Sequence, residues 1–160
     1  MPVYSTDVAA WRGTRGVDRG YAWSKAACAT ARNARLSEVG AARAAAGRSL
    51  SAADRDTLWQ RLTETSAASV DDYRRLDSRL HLTIGQLVGT PTLVTLMADN
   101  RTRVNELLDH IPLLPRNIAH SNEQHETIVA AILRGSRDDA AAAMSEHLEG
   151  SAVLLRAFLS

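Results

Sequence analysis

The sequence has very few cysteines and aromatic residues. Only one of its 160 residues is cysteine, Cys28, and only one is phenylalanine. A single cysteine excludes an internal disulfide and suits a reducing compartment, while the scarcity of aromatic residues argues against many strands. A chain of this length can bury a core without a disulfide or metal staple. Any bound metal is therefore expected to serve function rather than folding.

The sequence also lacks a long apolar run and a strong excess of charge. No stretch is long enough to cross a membrane, and the N-terminus lacks the apolar segment of a signal peptide. The 19 basic and 18 acidic residues give a formal net charge of +1, which demands neither a nucleic acid nor an anionic membrane as partner. These features predict a cytoplasmic protein with no membrane partner.

Residues 1–28 differ in composition from the rest of the chain. Several glycines and a proline interrupt any helical period there, and basic residues outnumber acidic ones. We predict an irregular, mildly basic leader over residues 1–28 and one folded domain over 29–160. Trp11 and Trp23 suggest that part of the leader docks on the domain or on a second subunit, because large aromatic side chains seldom stay solvated.

Apolar residues at helical spacing predict about six helices in residues 29–160. The first runs from Ala29 to Gly47, and capping residues place later helix starts at Ser51 and Ser69. A Gly-Thr-Pro sequence at positions 89–91 ends the third helix and starts the fourth. The predicted fold is all-α, an antiparallel helical bundle with a central metal or ligand cavity.

Two prolines mark the longest predicted loop of the domain. Pro112 and Pro115 interrupt the helical pattern, so we predict a loop over residues 110–119. A capping-box pair, Ser121 and Gln124, then predicts the start of the fifth helix. The last helix is expected near Ser136. The predicted inward-facing stripes include Leu36, Leu58, Leu80, Leu96 and Met144.

A carboxylate and three imidazoles fall on these apolar stripes. Asp77 and His81 are four residues apart, so they share one helix face and can reach a common point. His125 and His147 each lie in a helical apolar spacing of their own. Four such groups buried together are costly unless a divalent cation satisfies them jointly. We predict one metal bound by these four residues, with Zn or Ni as first choices and Mn, Fe or Co as alternatives.

The ligand set alone leaves the function open. An octahedral ion with four protein ligands keeps two positions for water or for the oxygens of a carboxylate, which suits either a ligand sensor or a small metalloenzyme. An enzyme would need a general base beside those positions, and no further carboxylate lies on the histidine-bearing faces. A metal-free helical protein that only dimerises is the third alternative. Arg101, if it points inward, could neutralise a ligand carboxylate.

Three segments resemble one known family. They are residues 34–46, with the sequence ARLSEVGAARAAA; Asp77 and His81 followed by GTPTL at positions 89–93; and His125-ETIVAAI leading through Gly135 to AAMSEHL at 142–148. In this order they resemble the FCD effector-binding domain of the FadR subfamily of GntR-type transcription regulators.

The resemblance implies a ligand-sensing domain and no enzyme. It implies a metal held by Asp77, His81, His125 and His147, a small carboxylate effector bound beside or on that metal, and a homodimer. It also implies an effector-binding arginine on the first helix, for which Arg32 and Arg35 are both candidates. Regulators of this type contact DNA through a winged-helix domain, which we expect to be absent from this chain.

Overall fold

Six α-helices and no strand make up residues 25–159, the part of the chain that the computed structural model describes, with side chains described for residues 27–157. We number the helices in chain order: α1 Lys25–Ala46, α2 Ala52–Ser66, α3 Val70–Val88, α4 Pro91–Leu108, α5 Pro115–Leu133 and α6 Arg137–Leu159. The predicted all-α bundle of six helices is confirmed. Residues 1–24 of the predicted leader, including Trp11 and Trp23, lie outside the described residues. Residues 25–28, which were also predicted to belong to the leader, form the start of α1.

Serine side chains cap α2 and α3 at their predicted starts. The Ser51 hydroxyl accepts a hydrogen bond from the Asp54 amide, and the Asp54 carboxylate accepts one from the Ser51 amide, a complete capping box. The Ser69 hydroxyl caps α3 by accepting a hydrogen bond from the Asp72 amide. At the end of α3, Gly89 has a φ of 76°, a left-handed conformation that a side chain disfavours.

The predicted loop over residues 110–119 is right for residues 110–114 and wrong beyond them, because α5 begins at Pro115 and not near Ser121. The Leu114 carbonyl accepts from the amides of Asn117 and Ile118, so the helix is established directly after the proline. Proline is well suited to the first helical position, because a backbone N–H there would have no partner within the helix and its absence costs nothing. The Ser121 and Gln124 pair therefore lies inside a helix, and the actual connection is short.

The alanine-rich α1 lies at the centre of the bundle and packs against α3, α4, α5 and α6. Its alanines at positions 41, 42 and 45 are fully buried, and their small side chains allow neighbouring helices to approach closely. Leu58, Leu80 and Met144 lie in the same core, as predicted. The prediction that Leu36 and Leu96 face inward is wrong, since these residues are 71% and 48% exposed. No helix in the described part of the chain could span a membrane.

Candidate metal and ligand site

Polar and charged side chains from five helices meet inside the bundle. Asp77 and His81 come from α3, His125 from α5 and His147 from α6, and one ligand atom of each lies within 4.8 Å of the others. The three histidines are at most 3% exposed and Asp77 is 9% exposed. The structure thus brings together all four residues for which the sequence predicted a shared metal.

The four ligand atoms are spaced as an ion would require. The Nε2 atom of His125 is 3.3 Å from that of His81, 3.3 Å from that of His147 and 3.2 Å from Asp77 Oδ1. Metal–nitrogen distances of about 2.0–2.1 Å place adjacent ligand atoms roughly 3.0–3.4 Å apart. These three separations fall in that range, whereas His81 Nε2 lies 3.7 Å from Asp77 Oδ1, slightly beyond it. Small side-chain shifts would bring the donor set to the spacing that a divalent transition metal needs.

Hydrogen bonds on the far sides of two imidazoles fix which nitrogen faces the cluster. His81 Nδ1 donates to the Glu38 carboxylate, and His147 Nδ1 donates to Gln124 Oε1 at 3.0 Å. Both acceptors lack a hydrogen, so each Nδ1 must carry the proton, and Nε2 is the ring nitrogen that faces the cluster. This is the tautomer that a metal ligand needs.

Glu38 is the principal residue of the site that sequence reasoning missed. It is completely buried on α1, and its second oxygen lies 3.8 Å from Arg101 Nη1. A signal was present in the sequence, because Glu38 shares the inward helical face with Ala34, Ala41 and Ala45, where a carboxylate is unexpected. The predicted ligand set is built around histidines, and α1 carries none.

Arg101 connects the carboxylates of the site. Its guanidinium is only 5% exposed, donates from Nη2 to Asp77 Oδ2 and approaches Glu38. Weaker contacts of 3.4 Å join it to the Ser78 hydroxyl. The sequence predicted that Arg101 would neutralise a ligand carboxylate if it pointed inward, and the structure places it inward beside the candidate metal ligands.

The surroundings set the protonation states that metal binding requires. Burial raises the pKa of Asp77, but Arg101 and then His81 outweigh it, so the net pKa lies well below the usual range. The pKa of Glu38 is likewise lowered, as His81 and Arg101 overcome the effect of burial. Burial lowers the pKa of His147 well below its ordinary value, and neighbouring His125 and His81 add to this. Ionised carboxylates of Asp77 and Glu38 and a neutral His147 imidazole result.

A pocket of about 80 Å³ adjoins the cluster. Asp77, Arg101 and His147 line one part of it, and Asn105 and Arg74 also contribute polar groups. The remaining wall is mostly apolar and comes from α1, α4, the connection to α5, and α6; it includes Ala34, Val104, Leu108, Ile111, Leu154 and Leu155. A small molecule in this pocket would lie against the candidate metal ligands.

The other predicted arginines lie elsewhere. Arg32 and Arg35 are exposed on α1, and Arg35 forms an ion pair with Glu149 on α6 at 3.6 Å. Neither lines the described pocket, whose guanidinium groups belong to Arg74 and Arg101.

The additional carboxylate does not have the position of a general base. Glu38 faces His81 Nδ1 on the side away from the cluster and is not part of the described pocket wall. A base for water activation would have to stand beside the open metal positions. The geometry therefore favours a binding site over a hydrolytic one.

Comparison with known proteins agrees with the sequence resemblance. The family model of the FCD domain matches residues 31–150, three quarters of the chain and every residue of the cluster. FCD domains are ligand-sensing, regulatory domains of GntR-type regulators and are not catalytic. No curated protein matches the chain.

Proposed function

Since the chain belongs to the FCD domain family, we propose that it senses a small organic acid through a divalent metal held by Asp77, His81, His125 and His147. The observation that carries this proposal is the convergence of those four buried ligand atoms within 4.8 Å. Three imidazoles and one carboxylate suit Zn or Ni, with Mn, Fe or Co as alternatives. The ion, when bound, would supply a Lewis-acidic site for the oxygens of a carboxylate.

Arg101 is the group proposed to bind the effector together with the metal. It is buried, lines the pocket and carries a planar fork of donors that matches a carboxylate. Its contact with Glu38 also links the pocket to the central helix α1. An effector that alters the Arg101 contacts would therefore act on a helix that packs against four others. Arg32 and Arg35 stay predictions as effector-binding residues.

The proposed setting is a cytoplasmic transcription regulator that acts as a homodimer. In that setting the domain would report effector binding to a winged-helix domain, which would contact DNA. Light scattering on the purified chain would test the dimer, because a molar mass near that of one chain at micromolar concentration would contradict it.

Elemental analysis of protein purified without a chelator or a metal-affinity tag tests the metal. We expect about one transition-metal ion per chain, and loss of that ion in the His81→Ala and His147→Ala variants. His110→Ala is the matched control, because His110 is exposed on the connection after α4 and should leave the metal content unchanged. A protein without metal that also fails to bind added Zn or Ni would overturn the proposal.

A further inference from the structure

The pocket is the side from which the buried cluster can be approached. His81 and His125 are at most 1% exposed and do not line the pocket, whereas Asp77 and His147 do. An ion or small molecule that enters through the pocket therefore meets Asp77 and His147 first. Because the cluster is almost closed to solvent, its exchange with solvent depends on what covers the pocket.

One part of the described pocket wall is not helical. Its lining residues lie on α1, α3, α4, α5 or α6, except for Ile111, Pro112 and Leu113. These three belong to the connection of residues 109–114 between α4 and α5, whose first three amides donate back to carbonyls of α4. An irregular connection can move without breaking a helix, so this wall opens at a lower cost than the helical ones.

An open groove on the protein surface lies on the other side of this wall. The groove and the pocket share four lining residues, which are Arg74, Asn105, Ile111 and Leu113. A single layer of side chains therefore separates the two. The rest of the groove is mostly polar and includes Asp71, Arg75, Ser78 and Asp109. A hydrated ion or a polar molecule in this groove would stand next to the pocket.

Arg74 on α3 holds the connection in place. Its Nη2 atom donates to the carbonyls of Leu108 and Ile111 at 2.6 and 3.0 Å, and its Nε atom lies 3.2 Å from Asp109 Oδ1. The Arg74 side chain is 21% exposed, so water competes only partly for these contacts. One guanidinium thus fastens both the end of α4 and the connection to α3.

The apolar contacts of the connection are separate from the main core. Ile111 is 6% exposed and packs with Leu154 and Leu155 of α6 in a small cluster of its own. The main core cluster contains none of these three residues. The connection can therefore lift without disturbing the packing that holds the bundle together.

We propose that the connection of residues 109–114 is a lid over the pocket and that Arg74 is the latch that keeps this lid closed. Arg74 then controls how fast ions and small molecules pass between the groove and the cluster. The inference rests on the proposed function, because it takes the cluster as a metal site. A latch acts on the path and not on the bound complex, so it sets the rates of entry and exit and leaves the dissociation constant unchanged.

The Arg74→Lys variant tests the latch, because it keeps the positive charge but loses the planar fork that bridges two carbonyls and a carboxylate. Stopped-flow mixing measures Zn uptake by the metal-free protein, and excess EDTA measures Zn release. We expect both rates to rise about tenfold, the worth of roughly one charge-assisted hydrogen bond, with an unchanged dissociation constant. Arg75→Lys is the matched control, since Arg75 lines the groove but not the pocket and pairs with Asp72 at 2.8 Å. Its rates should equal those of the wild type.

Hydrogen exchange of the metal-free protein tests the lid without the ion. Amides of residues 109–114 should exchange faster in Arg74→Lys than in the wild type, while those of residues 120–133 in α5 stay unchanged. If Arg74→Lys fails to fold, as judged from its melting curve, Asp109→Asn replaces it with a smaller expected increase, because that side chain is 67% exposed.

The possible results separate the latch from the metal function. Unchanged hydrogen exchange would overturn the latch, and faster exchange without faster Zn uptake would show that ions enter by another route and would overturn the gating role. Faster uptake with slower release would indicate a change of affinity and would also contradict a latch. If neither protein takes up Zn, the proposed metal function fails, and hydrogen exchange alone then decides whether Arg74 holds the lid.

Discussion

At the residue scale, Glu38 is expected to control metal affinity through His81. A carboxylate that accepts from a ligand imidazole fixes the ring and increases the basicity of the metal-binding nitrogen. Replacing Glu38 with Gln keeps the shape but removes the charge. We expect the Glu38→Gln protein to bind Zn about 10–100-fold more weakly, as measured by competition with a chromophoric chelator at fixed pH.

Glu149→Gln is the matched control for this prediction. Glu149 is also a glutamate in ion pairs with arginines, Arg35 and Arg156, but its side chain is 46% exposed and it lies on the surface of α6. Its loss should leave Zn affinity unchanged. Equal affinities in the Glu38→Gln and wild-type proteins would show that the charge of Glu38 does not control metal affinity.

The difference between Asp77 and Glu38 shows what helical spacing can reveal about such a site. Asp77 was predicted because His81 follows it by one turn, a relation visible within a single helix. Glu38 meets His81 only through the packing of α1 on α3, a contact between residues far apart in the chain. Arg101 was predicted only conditionally, since its inward direction depends on the rotation of α4. Sequence spacing thus identifies ligands that share one helix, but it does not identify residues that meet through the packing of two helices.

At the scale of single helices, two glycines are expected to respond to alanine in opposite directions. Gly89 ends α3 with a φ of 76°, where a Cβ atom is strained, so Gly89→Ala should destabilise the protein by about 1–2 kcal/mol. Gly40 lies inside α1, and nothing stands within 4 Å of an added Cβ. Gly40→Ala should therefore stabilise the protein by roughly 0.5–1 kcal/mol.

Urea unfolding followed by circular dichroism would measure both changes, and the two variants serve as controls for each other. Each adds the same methyl group and removes the same backbone freedom from the unfolded chain, so only the native conformation distinguishes them. A destabilised Gly40→Ala protein would indicate that this face of α1 is covered in solution.

The start of α5 shows where local sequence rules conflict. Pro112 and Pro115 predict a break, and the Ser121 and Gln124 pair predicts a later helix start. Both are sound local patterns, yet Pro115 is equally suited to the first position of a helix. Extending α5 to Pro115 also buries Asn117 in the bundle. Tertiary packing decided between the alternatives, and the short sequence pattern carries no information about that packing.

At the scale of the whole molecule, the cluster joins helices that are distant in the sequence. Ligands from α3, α5 and α6 meet at one point, and α1 and α4 contribute Glu38 and Arg101 behind them. An ion at this point would bind the folded bundle and not the separated helices of the unfolded chain. Its binding free energy would therefore stabilise the bundle as one cooperative unit.

Metal removal should consequently lower the melting temperature in a single step. A free metal concentration about a hundredfold above the dissociation constant stabilises the folded state by about 2.7 kcal/mol. For a chain of this size, that free energy corresponds to a shift of the melting temperature of roughly 5–10 °C. Differential scanning calorimetry with and without EDTA would measure the shift, and the His81→Ala protein should show none. A second, separate transition in the EDTA sample would mean that the cluster stabilises only part of the bundle. Unchanged melting after the ion has been removed from the wild-type protein would contradict this prediction, because an ion that binds only the folded state must stabilise it.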